Sequence, residues 1–235
     1  MSALERLREL TGRHLLEPGA DARLAALLEL LATDVRAPSA VTAIDQAVDI
    51  HVADSLSGLA VSAVRNARRI ADIGSGAGFP GLVLAVALPA ADVTLVESNA
   101  RKCDFLERAL ALTGVRNARV VCARAEAWPG GLGLHDAVTA RAVGSLALLC
   151  EYAAPLMAVG GTLVAWKGAP SPGERAAGER AARELGLEPG TVLRTEPYTG
   201  STGHHLYMYL KTADTPSRFP RRPGVARKHP LGAES

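Results

Sequence analysis

Cysteine is scarce in this chain. Of 235 residues only Cys103, Cys122 and Cys150 carry thiols, widely spaced and never as a C-x-x-C pair. That spacing argues against a zinc site and against a disulfide framework, so separate buried thiols in a reducing cytosol are expected. An excess of one charge is lacking too. Lys and Arg number 26 against 24 Asp and Glu, a formal net charge of +2, which speaks against a disordered chain and against a wholly basic nucleic-acid binder. No uninterrupted apolar run reaches the length of a membrane span, the nearest being broken by Pro80, Pro89 and Asp92. The opening MSALERLRELTGRHLLEP mixes acids and bases among leucines, unlike a secretion signal. A soluble, cytoplasmic globular protein with no membrane partner is expected. Ser-His-Asp, paired-carboxylate and metal-ligand constellations are absent from the pattern as well.

What is present is a change of rhythm. Leu4, Leu7 and Leu10, then Leu24, Leu27, Leu28 and Leu31, recur at the three- and four-residue spacing of a helix face, and DQAVDIHVADSLSGLAVSAV continues the pattern. From Arg69 onward, β-rich runs alternate with helix-length segments: RIADI, DVTLVE, ARVVCA, DAVTA, GTLVAWK, TVLRTEPY and HHLYMYLK. The fold class expected is α/β, a doubly wound, mostly parallel seven-stranded sheet. TGSTG between the last two runs is too short for a parallel crossover, so the final strand is expected to be antiparallel. Residues 1–66 are expected to form an N-terminal helical cap and 67–212 the α/β cofactor domain. Residues 213–235, rich in proline and arginine, are expected to form a flexible basic tail.

The informative stretch is ADIGSGAGFPGLVLAV, residues 71–86, a strand entering a glycine-rich turn and then a helix. Gly76 to Gly81 satisfy the dinucleotide pattern G-x-G-x-x-G, whereas Gly74, Gly76 and Gly78 behind Asp72 fit a different cradle. A dinucleotide sets its pyrophosphate on the following helix N-terminus, where Asp72 would add like-charge repulsion. S-adenosylmethionine has no phosphate and carries a sulfonium and an ammonium, so an acid there becomes favourable. Glu97, closing DVTLVE about 20 residues after the turn, suits ribose hydroxyls in either cofactor.

Together ADIGSGAGFPGLVLAV, VESNARKCDFLERA, ARAEAW, TARAVGSL and LVAWKG, with VTAIDQAVDIHVADSL upstream, resemble the ribosomal RNA small subunit methyltransferase G family, also called glucose-inhibited division protein B. The resemblance covers roughly Leu24 to Lys211 and implies a Rossmann-like class I methyltransferase using S-adenosylmethionine. It implies that Gly74 and Phe79 contact the cofactor, that Ala125 and Glu126 flank its adenine, and that Arg141 stands beside the methionine part and the incoming guanine as the catalytic residue. The upstream stretch ends in His51, Asp54 and Ser55. Two departures stand out: Ala40-Val41-Thr42 replaces the family's usual Asn-Leu-Thr, and His204 stands where an arginine is common. No catalytic or RNA-binding role is therefore carried over to His204.

The implied reaction methylates N7 of a guanine in 16S ribosomal RNA, an atom with a free in-plane lone pair and no proton. Positioning then suffices, without a general base or a metal. For RNA, as naked 16S ribosomal RNA or within the small ribosomal subunit, the candidates are Lys167 and the tail cations Arg218, Arg221, Arg222, Arg227 and Lys228, with Lys211 at the start of the basic segment. Trp166 is a stacking candidate, with core packing the stronger reading. The chain is expected to act as a monomer. Two alternatives stay open on the sequence: a nicotinamide-dependent oxidoreductase, and a non-catalytic ribosomal RNA-binding or assembly factor that keeps a vestigial cofactor pocket.

Overall fold

A seven-stranded sheet organises the computed structural model, which describes residues 2–232. In chain order the helices are α1 (Ala3–Arg13), α2 (Ala20–Thr33), α3 (Ile44–Ala47), α4 (Asp54–Leu56) and α5 (Ser62–Arg65). Then come β1 (Arg69–Ile73), α6 (Gly81–Ala87), β2 (Asp92–Glu97), α7 (Ala100–Thr113), β3 (Ala118–Cys122) and β4 (His135–Arg141). The chain continues with α8 (Leu146–Ala153), β5 (Met157–Lys167), α9 (Pro172–Glu184), β6 (Leu187–Thr195), β7 (His204–Lys211) and α10 (Val225–Lys228).

The strand order is β3-β2-β1-β4-β5-β7-β6, parallel from β3 to β5, with β7 antiparallel to both neighbours. The doubly wound sheet with its antiparallel strand is the one the sequence rhythm predicts. β1 lies between β2 and β4 on the other side, so the strand order reverses there and the loops after β1 and β4 splay apart. Such a crevice at the strands' carboxyl ends is where ligands bind in open α/β sheets.

One face of the sheet is covered by a single apolar cluster that joins the N-terminal helices to α6 and α7: Leu24, Leu27, Leu28 and Leu31 pack with Leu82, Val93 and Leu106. Leu7 and Leu10 belong to it as their spacing predicts, whereas Leu4 is turned outward at 43% exposure. On the other face α8 and α9 meet Ile73, Val138, Leu163 and Tyr209. Helix starts follow local chemistry. The Asn99 side chain caps α7, that of Ser145 caps α8 and that of Ser171 caps α9, each accepting amides of the first turn.

Two expectations are corrected here. Cys103 and Cys122 are not separate thiols but are joined in a disulfide, their Cα atoms 5.8 Å apart. Their sequence spacing of 19 hides this. The crossover through α7 returns β3 alongside β2, placing Cys122 opposite Glu97, whose carbonyl lies 3.3 Å from the Cys103 sulfur. Cys150 is a buried thiol, its pKa pushed up by burial.

The second correction concerns the tail, which is docked rather than free up to residue 232. Phe219 is buried in the α8–α9 cluster, Ala226 is buried, and Arg221 is clasped by the buried Glu151 with contacts of 2.6 and 2.5 Å. Arg218 pairs with Glu184 at 2.9 Å, and Lys211 is buried, donating to the carbonyls of Ala154 and Met157. A single aromatic and one arginine with a buried carboxylate partner suffice to seat a segment whose composition reads as solvated. No helix among the described residues is long and apolar enough to cross a membrane.

Candidate functional site

The turn after β1 is built from residues in the left-handed region: Gly74, Gly76 and Gly78 have φ of +70°, +57° and +96°. A side chain at Gly74 would also strike Val143, whose Cγ2 lies 2.5 Å from the position of a Cβ there. Gly74 is exposed to the crevice, Gly76 half-buried, and Gly78 buried beneath the turn against Leu82.

The amides of Gly74, Ser75, Gly76, Gly78 and Phe79 are already engaged. Gly74 and Ser75 donate to the Val96 carbonyl at 2.8 and 3.2 Å, Gly78 and Phe79 to the Ser75 carbonyl, and Gly76 to the Glu97 carboxylate at 3.1 Å. Those N–H groups are therefore not free to cradle a pyrophosphate, which is what the dinucleotide reading requires. Glu97 is almost buried, and its other oxygen accepts the amides of Ser98 and Asn99 at 2.8 Å each. The carboxylate is thus fixed at the tip of β2, with lone pairs to spare for hydroxyl donors.

Asp72 is not at the mouth of the loop, where the sequence reading puts it. It is fully buried under the turn, its Oδ1 accepting the Thr139 hydroxyl at 2.8 Å and its Oδ2 facing the Gly81 backbone without a well-formed hydrogen bond. Burial raises its pKa to about 6, the hydrogen bond from Thr139 opposing only in part. Strand pairing explains the contact: Asp72 lies opposite Thr139 in the β1–β4 register, a relation invisible before the strands are paired.

A second group gathers beyond the ends of β4 and β7. Residues Val48–Ala53 form a π-helical turn, an irregularity common at functional sites, which runs into α4. It presents His51, Asp54 and the Ile50 carbonyl to Arg141 at the end of β4. The guanidinium donates to Asp54 Oδ2 at 2.7 Å, to the Ile50 carbonyl at 3.1 Å and to His51 Nδ1 at 3.2 Å.

Because a guanidinium only donates, His51 Nδ1 must accept and its proton sits on Nε2, which faces the Ser39 hydroxyl at 3.0 Å and the Val41 carbonyl at 3.2 Å. The imidazole is held neutral. Burial first, then the Arg141 charge, lower its pKa to about 4. Phe79 stacks on His51 at 4.5 Å between centroids, and the Arg141 guanidinium lies 5.5 Å from the Phe79 ring. His204 Nδ1 stands 3.0 Å from Asp54 Oδ1, so Asp54 bridges Arg141 and His204.

These residues border two adjoining recesses. One, of about 320 Å³, is lined by Asp54, Arg141, Trp166, Lys167, His204 and His205. The other, of about 110 Å³, is lined among others by Gly74, Val96, Ala125, Glu126, Tyr152 and Arg227. Ala142 and Val143 lie where they meet, lining the first and second respectively, and Ala142 takes a positive φ of 58°, an uncommon conformation for a non-glycine residue and one concentrated at functional sites.

The structure thus brings Gly74, Ala125 and Glu126 to one recess and Arg141 and Lys167 to the other, with Glu97 at the loop beside them. Trp166 is 4% exposed and donates to the Asp54 carbonyl at 2.9 Å, so it packs rather than stacks on a base. Lys167 donates to the Gly144 carbonyl and to Glu174, at 2.9 and 2.5 Å. Of the tail cations, Arg218 and Arg221 are committed to Glu184 and Glu151, while Arg222, Arg227 and Lys228 are exposed. The sequence reading assigns no role to Tyr152, which carries no motif signal, nor to Ala142 and Val143, which follow Arg141 within TARAVGSL. Among the described residues no three His, Cys, Asp or Glu side chains are grouped to share a metal ion.

The chain matches the family model for rRNA small subunit methyltransferase G over residues 25–197. It is similar to the ribosomal RNA small subunit methyltransferase G of Rubrobacter xylanophilus, 42% identical over 77% of this chain and 72% of that one. The enzyme of the same name from Symbiobacterium thermophilum is 41% identical, covering 82% of each chain. Among solved structures, fibrillarin of Aeropyrum pernix with natively bound S-adenosyl-L-methionine shares the fold, with a TM-score of 0.50, 19% identity, and coverage of 67% of this chain and 73% of that one.

Proposed function

Because the chain belongs to the rRNA small subunit methyltransferase G family, we propose that it transfers a methyl group from S-adenosylmethionine to N7 of a guanine in 16S ribosomal RNA. The observation that carries the cofactor assignment is the state of the glycine loop. Its amides from Gly74 to Phe79 are largely consumed internally, and the charged group it does present is the fixed Glu97 carboxylate. An acceptor of that kind suits a ribose diol and a cationic cofactor and opposes a pyrophosphate. Gly74 and Glu97 would hold the ribose side, and Ala125 and Glu126 the adenine side. Gly76 and Gly78 shape the turn, and Phe79 supports it from the His51 side. Asp72 acts on the loop from beneath, through Gly81 and Thr139.

When bound, S-adenosylmethionine supplies an electrophilic methyl on a sulfonium. The chain's own task is placement. The guanine would enter the larger recess beside Arg141, which is fixed at three points and so holds its planar face in one orientation. Guanine N7 has no proton to lose, and the neutral, fully engaged His51 fits a site without a general base. Arg141 acts as a positioning group: its ties to Asp54 and His51 join the end of β4 to the π-helical turn and α4, and Trp166 and Leu149 line the same recess. The RNA backbone would be held by the exposed cations Arg222 and Lys228, with Lys167 at the recess itself.

Calorimetry tests the cofactor assignment. Binding of S-adenosylmethionine with no response to NAD is expected; NAD binding with no response to S-adenosylmethionine would contradict it.

A further inference from the structure

The basic segment following β7 is anchored on the protein at Phe219, Arg221 and Ala226, and it is anchored beside the smaller recess. Phe219 and Arg221 fix its start on α8, where Glu151 grips the guanidinium. Arg221 also donates to the His229 carbonyl at 2.9 Å, drawing residues 221–229 into a closed loop, and Arg180 holds the Gly232 carbonyl at its far side. This loop delivers the Gly224 amide to Glu126, donating to Oε1 at 3.1 Å. The Glu126 side chain is only 5% exposed. Arg227, in the single turn of α10, lines the recess with Gly74, Val96, Ala125, Glu126 and Tyr152.

We propose that residues 220–229 form a wall of the cofactor site and that Arg227 contacts the adenosine end of S-adenosylmethionine. This rests on the cofactor reading above. Glu126 is then a joint: residues of the β3–β4 connection flank the purine on one side, and the same carboxylate holds the strap that supplies the other.

The chemistry suits the place. A guanidinium is planar, offers several donors to purine ring nitrogens, and is attracted to an aromatic face, while a purine carries no charge to oppose it. Arg227 is exposed and makes no ion pair among the described residues, so it is available to a ligand, unlike Arg218 and Arg221. Compositionally it belongs to a phosphate-binding tail; by position it belongs to the cofactor recess.

The test compares Arg227→Ala with Arg222→Ala, an exposed arginine of the same strap that does not line the recess. Both are titrated by calorimetry with S-adenosylmethionine and with 5′-methylthioadenosine, which keeps the adenosine and lacks the amino acid. Arg227→Ala is expected to weaken both ligands about tenfold, the size of one cation-to-ring contact. Arg222→Ala is expected to bind as the wild type does. Independently, S-adenosylmethionine should slow hydrogen exchange at the amides of residues 224–228.

Unchanged affinity in Arg227→Ala, an equal loss in Arg222→Ala, a loss confined to S-adenosylmethionine, or unaltered exchange in the strap would each overturn the proposal while leaving the cofactor reading intact. Failure of the wild type to bind either ligand would overturn both. Should Arg227→Ala melt below the wild type, Arg227→Gln replaces it with the same criteria.

Discussion

Replacing Asp72 by Asn removes a carboxyl that the fold keeps from water, and the consequence depends on pH in a way that can be worked out. An unfolded aspartate ionises with its ordinary pKa of 3.8, whereas burial raises the folded value to about 6. Below the unfolded value both states hold the proton and the group has no effect. As pH climbs between the two values, the unfolded chain loses its proton while the folded chain keeps it, so stability falls. Above the folded value the loss is constant at about 3 kcal/mol, two pKa units at 1.36 kcal/mol each.

Asparagine cannot ionise, so the variant escapes this slope. It carries its own cost, about 1–3 kcal/mol for an amide group with no partner near Gly81, but that cost does not vary with pH. Urea unfolding of both proteins at pH 4.5 and pH 8 therefore isolates the effect. The stability of Asp72→Asn relative to the wild type should rise by about 2 kcal/mol between the two pH values. A constant offset would show that Asp72 titrates normally in the fold, and a relative loss at pH 8 would show that the carboxylate is stabilised there, refuting the argument from burial.

Two further outcomes follow from the ion pairs. Arg141→Lys keeps a charge but cannot reach Asp54, His51 and the Ile50 carbonyl together, so kcat should fall roughly 10- to 100-fold with cofactor affinity nearly unchanged; single-turnover kinetics with a separate cofactor titration checks this, and an intact kcat would return Arg141 to a purely structural ion pair. Arg221→Ala strands the Glu151 carboxylate in the α8–α9 face, and thermal melts should show a loss of about 3–5 kcal/mol, most of it recovered in the Arg221→Ala, Glu151→Gln double variant. No recovery in the double variant would mean that the arginine acts through packing alone.

Periodicity made the sheet legible. Each β-rich run found its strand because β-branched enrichment and turn residues are local properties, and TGSTG marked the antiparallel return for the same reason. The glycine loop and Glu97 were also readable, since the glycines and the 21-residue spacing from Gly76 to Glu97 belong to a single βαβ unit. What failed to show was pairing across the chain. Asp72 looked like a ligand for a cation because its opposite neighbour, Thr139, arrives 67 residues later. Cys103 and Cys122 looked unrelated because α7 separates them before the crossover closes. The tail looked solvated because its composition is; Phe219 and Arg221 dock it through partners on α8 and α9 that no local window contains.

The central claim is methyl transfer to one atom of one RNA, and nucleoside mass spectrometry of 16S ribosomal RNA after incubation with the protein and S-adenosylmethionine tests it directly. Both free RNA and small subunits from cells lacking the activity should be offered, since either can be the accepted form. The expected product is 7-methylguanosine at a single position, formed by the wild type and sharply reduced with Arg141→Lys. RNA that is bound but left unmethylated, or a methyl group found on a different atom or base, would contradict it.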